Sequence, residues 1–596
     1  AFYLNGGNAT VLGGTIEFNE AKNGGGAYLA GGALDISNGQ FSENKATVNG
    51  GGAFVSGGNI TMSGGSFDYN SANDNGGGIY LTGGSLTMNG GSFKNNSAVN
   101  DGGGAYVSGG DFELNGDNAS FNNNYATNGG GVYLTGGKPN LYKGLLIGNI
   151  ALKDGGGIYI DKQQVTLVPK GEVLISQNKA GYNQLGELGT LIGRGAGIFI
   201  GGESGAEASF SVSKESEGVV LITGNQAKDF GGGVCINKGN FLVDGSNITV
   251  GNNSAINGGG VAVLAGNFNL SAGTIGGTDL SNSATNGGGV YVSGGNVLIT
   301  GEGTVANNKA SENGGGVCVA NGNVTMIGGL IDKNIASNGD GGGIYVSADG
   351  NDVKVQIISG SITNNNSSSN GGAVSVMGST NGTETITVII GVDKVHYDDE
   401  GNRIDCEHKE DDGTIFSLAC PVVEGNQASG KGGAIYITGG NKTYLNIYCL
   451  IEEENVSLDD NDRSNFMMVE GGTIVISTCE DNNVENLATH GNSVINDSLH
   501  VVAGSLDIYG SMDNPKFKDS ITVNITKEED HFGDHRKQTD NDTKYFKLQY
   551  FENFKDPESG VVTGEYTVYQ YAEGEKIEIS GVVFSHLGYE IVGWFT

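Results

Sequence analysis

Residues suited to nucleophilic or acid–base chemistry are distributed one-sidedly along the chain. All seven histidines (His396, His408, His490, His500, His531, His535 and His586) follow residue 395. No Ser-His or Cys-His centre can therefore assemble from residues 1–395 alone. Carboxylates are plentiful, with 66 Asp and Glu against 31 Lys and Arg. A glycosidase, however, needs two of them flanking one bond, and a β-helix lyase needs carboxylates beside a strong base on one face. Acidic residues stacked at a regular period are hard to find here. The densest groups are Asp398-Asp399-Glu400-Gly401 with His408-Lys409-Glu410-Asp411-Asp412, then Asp459-Asp460-Asn461-Asp462, and Glu529-Asp530-His531 with Asp534-His535. None has the fixed glycine and terminal glutamate of a calcium loop or zinc-finger spacing. Each reads first as solvated charge and second as a weak cation site. No catalytic residue, metal site or other cofactor is expected. The Gly-Gly-Gly boxes lack the Lys-Ser/Thr and the strand-to-helix setting of a phosphate loop.

Six cysteines (Cys235, Cys318, Cys406, Cys420, Cys449, Cys479) contain no CxxC pair and are too sparse for a disulfide framework. Cys406 and Cys420 bracket an irregular insertion; a bridge and two free thiols are both open. The net charge of -35 and a pI near 4.4 surround the molecule with negative potential. Only four arginines occur (Arg194, Arg403, Arg463, Arg536), with no basic stripe interleaved with aromatics, so nucleic acid is excluded as a partner. No run of eighteen apolar residues could span a membrane. Ala1 opens directly on repeat-like sequence, and the chain is expected to continue beyond both ends.

The elements that must position any site are set by a repeat. With 109 glycines, only 5 prolines and 37% hydrophobic residues, the composition is neither collagenous nor disordered. A box of Gly-Gly-Gly, a small apolar residue, an aromatic and an aliphatic places aromatics at Tyr28, Phe54, Tyr80, Tyr106, Tyr133 and Tyr159, with steps of 26, 26, 26, 27 and 26 residues. The box continues at Phe199, Cys235, Ala262, Tyr291, Cys318, Tyr345, Ser375 and Tyr436. Inside each unit the alternation has period two, as in Gly78-Ile79-Tyr80-Leu81, Ser85-Leu86-Thr87-Met88 and Ser92-Phe93-Lys94-Asn95, with turn residues between. Helical repeats are excluded by that period, and propeller blades need about 40 residues or more. The expected fold is all-β: a right-handed parallel β-helix with three short strands per coil and about 26 residues per coil, something like 17 to 20 coils in all.

Alternation assigns faces. With Ile79 and Leu81 inward, Tyr80 points outward, and Tyr28, Phe54, Tyr80, Tyr106, Tyr133 and Tyr159 form an aromatic stripe on one sheet. Two readings stay open: rings that stabilise neighbouring coils as cross-strand pairs do, or a ligand-binding face for a glycan or a protein. A second column, Phe41-x-x-Asn44, Phe67-x-x-Asn70, Phe93-x-x-Asn96 and Phe121-x-x-Asn124, is followed two residues later by Ala46, Ala72, Ala98 and Ala126. Asn149, Asn178, Asn225, Asn253, Asn308, Asn334 and Asn426 continue it behind an aliphatic residue. Asparagine tolerates left-handed backbone and bonds turn amides, and stacked asparagines bond one another, so this is read as a structural ladder.

Phe-x-x-Asn combined with Gly31-Gly32-Ala33-Leu34, Gly371-Gly372-Ala373-Val374 and Gly432-Gly433-Ala434-Ile435 resembles the passenger repeats of chlamydial polymorphic outer-membrane proteins over about residues 1–440. That resemblance implies a surface-exposed β-helix used in adhesion, although the chain shows no β-barrel after it. The end of the chain, with Tyr566-Thr567-Val568-Tyr569, Glu573-Gly574-Glu575-Lys576-Ile577 and Gly588-Tyr589-Glu590-Ile591-Val592-Gly593-Trp594, is similar to Listeria–Bacteroides and internalin B-repeat modules. Those modules imply an extracellular place on a bacterial cell surface or wall.

The expected organisation is a regular β-helix over 1–440 with insertions near 161–195 and 387–420, less regular final coils over 441–525, and a polar linker or cap over 526–560. An incomplete B-repeat-like module, small and β-rich, follows over 561–596. The function expected is that of a non-enzymatic cell-surface adhesin or stalk. It would bind a host or bacterial surface glycan or protein through a β-helix face, with self-association possible. The alternative is a polysaccharide-active β-helix enzyme, a lyase or glycoside hydrolase.

Overall fold

The computed structural model builds each turn from the alternation just described. In the turn that begins at Ile79, strands Ile79–Leu81, Ser85–Met88 and Ser92–Lys94 bury Ile79, Leu81, Leu86, Met88 and Phe93 completely. The residues between them face outward. Each strand pairs in parallel with its equivalents one turn before and after: Tyr80 lies between Phe54 and Tyr106, Leu86 between Ile60 and Phe112, and Phe93 between Phe67 and Phe121. A parallel ladder in constant register is what carries a sequence period into a spatial column. A fourth, two-residue strand, Ser97–Ala98, adds to the three expected. It belongs to a separate eight-stranded sheet at the corner, built on the residues that follow each ladder asparagine.

Three glycines in a row at the next corner answer three different steric demands. Gly76 has φ +68°, the left-handed region that favours glycine. A Cβ on Gly77 would fall on the Ser97 carbonyl and 2.5 Å from the Gly103 carbonyl oxygen. A Cβ on Gly78 would lie 2.5 Å from the Gly104 carbonyl oxygen and 2.6 Å from the Phe93 ring. The box is therefore a place where the chain passes close to the next turn and to the core ring beneath it.

The structure describes residues 1–201, 208–215, 217–378, 383–391, 421–439, 442–447, 455–458 and 467–468 in full, and beyond them only the backbone of further strands. Two compact units divide the chain: Ala1–Ser311 with Gly316–Cys318, and Glu312–Gly315 with Val319–Thr596. In the first, the aromatic-box strands run in unbroken parallel register from Tyr3 through Tyr28, Phe54, Tyr80, Tyr106, Tyr133, Tyr159, Phe199, Cys235 and Ala262 to Tyr291. In the second, Ile344–Ser347, Val374–Met377 and Ile435–Thr438 stack in the same way.

The chain is a parallel β-solenoid of about 15 turns with about 27 residues per turn. That is fewer than the 17 to 20 turns expected, because long connections use chain without adding a turn. In the long gap after Tyr159, Gln164–Leu167, Glu172–Ser176 and Lys179–Ala180 are ordinary strands paired with the next turn. The excess lies in residues 181–195. Near 387–420, Ile386–Ile390 is likewise a regular strand paired on both sides. The side chains of 392–420, the 526–560 linker and the 561–596 module lie outside the described residues, as do Cys406, Cys420, Cys449 and Cys479.

Candidate functional face

The aromatic column is a continuous stack. Between Tyr3 and Tyr28 the ring centroids are 5.6 Å apart, and the spacing then runs 5.1, 5.2, 4.7, 5.1 and 4.5 Å through Phe54, Tyr80, Tyr106 and Tyr133 to Tyr159, with rings near parallel. Strand geometry sets the spacing, since parallel neighbours stand about 4.8 Å apart. The consequence is chemical: each interior ring has both faces against its neighbours and presents outward only its edge and, in tyrosine, its hydroxyl. All six candidates, Tyr28, Phe54, Tyr80, Tyr106, Tyr133 and Tyr159, are brought together. They are not equally accessible. Tyr28 to Tyr106 are half-buried, whereas Tyr133 and Tyr159 are 9% and 6% exposed and join Phe199, Cys235 and Ala262 in a buried cluster, with Phe230 and Leu264 against it. Burial, reinforced by nearby carboxylates such as Asp101 and Asp161, pushes the phenols of Tyr106 and Tyr133 well above their ordinary value. These hydroxyls are neutral hydrogen-bonding groups.

Arg194 closes the covered end. Its guanidinium lies 4.9 Å from the centre of the Phe199 ring and donates two hydrogen bonds to the Asp154 carboxylate, at 2.9 and 2.7 Å, and one to Asn237 at 3.1 Å. The two-pronged geometry is that of an ionised pair. Burial pushes the Asp154 carboxyl up from its ordinary value while Arg194 pulls it back, and the Asp154 bonds outweigh the burial that opposes charge on Arg194. Arg194→Met should cost about 3 kcal/mol, because Asp154 would be left buried with only Lys153, at 3.7 Å, nearby. Urea unfolding measures it, and the doubly substituted Arg194→Met/Asp154→Leu chain should recover most of the loss.

The asparagines Asn44, Asn70, Asn96, Asn124 and Asn149 form a second column, fully buried. Each side-chain amide donates to the carbonyl oxygen of the next, at 3.0, 2.9, 3.0 and 2.9 Å. In the first unit the bonding continues from Asn149 through Asn178, Asn225, Asn253 and Asn282 to Asn308. In the second it runs from Asn334 through Asn365 and Asn426 to Asn455. The left-handed residue expected at the asparagine is instead the one before it, as at Glu43, Tyr69, Asn95 and Asn123, with φ between 52° and 55°. That kink aims the following side chain into the core.

Asn282, Asn365 and Asn455 escape the sequence pattern. Four extra residues separate Ile275 from Asn282, and Ser367 and Ser457 stand where alanine was expected. A third polar column was not expected at all: the residue before each glycine box, Asn23, Asn49, Asn75 and Asp101, with backbone N–H groups of Asn49, Asn75 and Asp101 donating to the preceding side-chain oxygen at 3.2, 3.1 and 3.1 Å. Its signal, Asn or Asp before Gly-Gly-Gly, is plain once the box is aligned.

Beyond the paired Asp154, catalytic groups are scarce among the described side chains. No histidine is among them, and no three of their His, Cys, Asp or Glu residues are placed to hold a metal ion. Cys235 and Cys318 are free and buried; burial pushes the Cys318 thiol up to about 12 and Cys235 higher still, so neither is a ready nucleophile. No helix among the described residues is long and apolar enough to cross a membrane.

The described turns thus define a repeat protein, a parallel β-solenoid with a stacked aromatic column on an outer face and a buried asparagine ladder inside. Residues 422–438 match the Chlamydia polymorphic membrane protein repeat. The matched segment runs from the strand Val422–Glu424 through the ladder residue Asn426 to the box strand Ile435–Thr438, so this turn is of polymorphic membrane protein repeat type. Comparison with curated proteins and with solved structures finds no match.

Proposed function

We propose that this chain is a non-enzymatic bacterial surface protein, an adhesive or stalk-forming solenoid that displays one extended face to a glycan or protein outside the cell. The repeat type at 422–438 supports a surface location, and the likeness of the C-terminal segment to B-repeat modules supports a stalk. The observation that carries the adhesive part is the half-buried stretch from Tyr28 to Tyr106, four outward residues in one register on a sheet. Because stacking occupies the ring faces, recognition there uses ring edges, the hydroxyls of Tyr28, Tyr80 and Tyr106, and neighbouring polar groups such as Asp101. It does not use sugar stacking on an open ring. The net charge of -35 favours neutral or basic ligands over sulfated or uronic glycans.

A screen of glycans and extracellular-matrix proteins tests the reading. The chain should bind at least one neutral glycan or basic protein, and Tyr80→Ser/Tyr106→Ser should weaken that binding by roughly tenfold, two lost anchors at a docking face. Binding that ignores both substitutions removes the aromatic face from the proposal. Release of soluble products from any polysaccharide would overturn the non-enzymatic assignment.

A further inference from the structure

Asn-Gly recurs along the chain, most often as the lead-in to a glycine box. Asparagine is thermolabile, and most of all before glycine, which has no Cβ to hinder attack of its backbone nitrogen on the asparagine side chain. The boxes block this reaction. At Asn23-Gly24 the side-chain oxygen accepts the Asn49 backbone N–H at 3.2 Å, and the Gly24 N–H donates to the Asn49 carbonyl oxygen at 3.0 Å. Asn49-Gly50 and Asn75-Gly76 make the same two bonds to the turns that follow them. Gly24, Gly50 and Gly76 are held at φ between +66° and +68°. The carbon to be attacked and the attacking nitrogen are thus each tied to the next turn.

Asn38-Gly39 is the same dipeptide without these restraints. It lies between the strands Ala27–Ile36 and Gln40–Ser42, with Asn38 exposed in a bend. Ladder bonds bracket it: the Ser37 N–H donates to the Val11 carbonyl oxygen at 3.0 Å and the Gln40 N–H to that of Gly14 at 2.9 Å. Among the described residues, the Asn38 side chain and the N–H groups of Asn38 and Gly39 have no hydrogen-bond partner. Packing requires glycine at 39, because a Cβ there would fall on the Val11 side chain. We infer that Asn38 is a self-modification site. The Gly39 nitrogen bonds to the carbonyl carbon of the Asn38 side chain, the carbon–nitrogen bond of the amide breaks, and ammonia leaves with the proton of the Gly39 N–H. Water, the only co-reactant, opens the resulting succinimide at either carbonyl and gives an aspartyl or isoaspartyl link at position 38. Both products add a carboxylate that is ionised at neutral pH. The isoaspartyl link also lengthens the backbone by one carbon just before Gly39, whose carbonyl oxygen accepts the Ser66 N–H at 2.9 Å. One corner of the solenoid thereby changes charge and backbone length with time, while the box asparagines keep theirs. This is independent of the aromatic face.

The test incubates the whole 596-residue chain in warm, mildly alkaline buffer, once folded and once in urea, and digests it at acidic pH. Trypsin cutting after Lys22 and Lys45 releases one peptide that carries both Asn23-Gly24 and Asn38-Gly39, so fragment masses compare the two sites within a single molecule. In the folded chain Asn38 should convert to the acid at least roughly tenfold faster than Asn23, which reacts only when its turn opens. In urea the two rates should converge, with Asn38 changing by no more than a few fold between the folded and unfolded chain. Asn38→Gln, with unchanged thermal unfolding, should abolish conversion at 38 and leave that at Asn23 as it was. The inference is overturned if Asn23 and Asn38 convert equally in the folded chain, or if Asn38 converts in urea and not in the folded chain.

Discussion

Replacing Asn96 by leucine is expected to lower the unfolding free energy by about 4 kcal/mol, a large share of the stability of an ordinary domain. The side-chain oxygen of Asn96 accepts both the backbone N–H and the amide of Asn70, at 2.9 Å each; its amide donates to the Phe67 carbonyl at 2.8 Å and to Asn124 at 3.0 Å. All four bonds lie in the core, where no water replaces them. Leucine fits the space approximately but strands two donors and leaves two carbonyl oxygens short, each buried group costing about 1 to 3 kcal/mol before relaxation. Asn96→Asp keeps the acceptor and loses the donors while burying a charge, so it should be no milder. Urea unfolding gives the magnitude. Hydrogen exchange should show the loss concentrated in the turns of Asn70 and Asn124, since a solenoid turn is stabilised mainly by its neighbours. A shift below about 1 kcal/mol would mean that the column contributes little.

Gly77→Ala should be comparably severe, about 4 kcal/mol, although it adds one methyl group. The new carbon would meet the Ser97 carbonyl and the Gly103 carbonyl oxygen, backbone atoms of its own and the following turn. Backbone in register with two further turns cannot rotate aside as a side chain can. Gly31→Ala is the control: the nearest atom to its added carbon is 3.7 Å away and its φ lies outside the positive range. That substitution should leave stability within about 0.5 kcal/mol or raise it slightly, through the smaller entropy of the unfolded chain. Equal midpoints for the two variants would show that close approach between turns is not what the glycine box provides.

Much of this architecture was legible in the linear order of residues because it is periodic. The step from Tyr28 to Phe54 to Tyr80 becomes a parallel pairing, and the alternation in Ser85-Leu86-Thr87-Met88 becomes a strand with Leu86 and Met88 inside. The asparagine column was legible where an aromatic or aliphatic leader stood three residues ahead and alanine two residues behind. It was missed at Asn282, where an insertion moved the leader, at Asn365, where serine replaces alanine, and at Asn455, where serine replaces alanine and Glu452 replaces the leader. The left-handed residue was placed one position late, because a preference of asparagine for that conformation is weaker than the geometry of a corner that must turn its side chain inward.

Taken alone, the sequence determined the turn length, the phase of its strands and which residues of each strand enter the core, since all three follow from spacing along the chain. Only the tertiary structure decided which part of the aromatic column is covered and where an apolar tip stands free. Tyr159 is buried in a cluster with Phe199, and over the Phe199 ring lies Arg194, which arrives from 35 positions after Tyr159 and is held by Asp154, 40 positions before it. Leu185 and Leu188 are exposed because their own loop pairs with itself instead of folding down. Period predicts what repeats, and contacts between one irregular loop and the turns beneath it occur once.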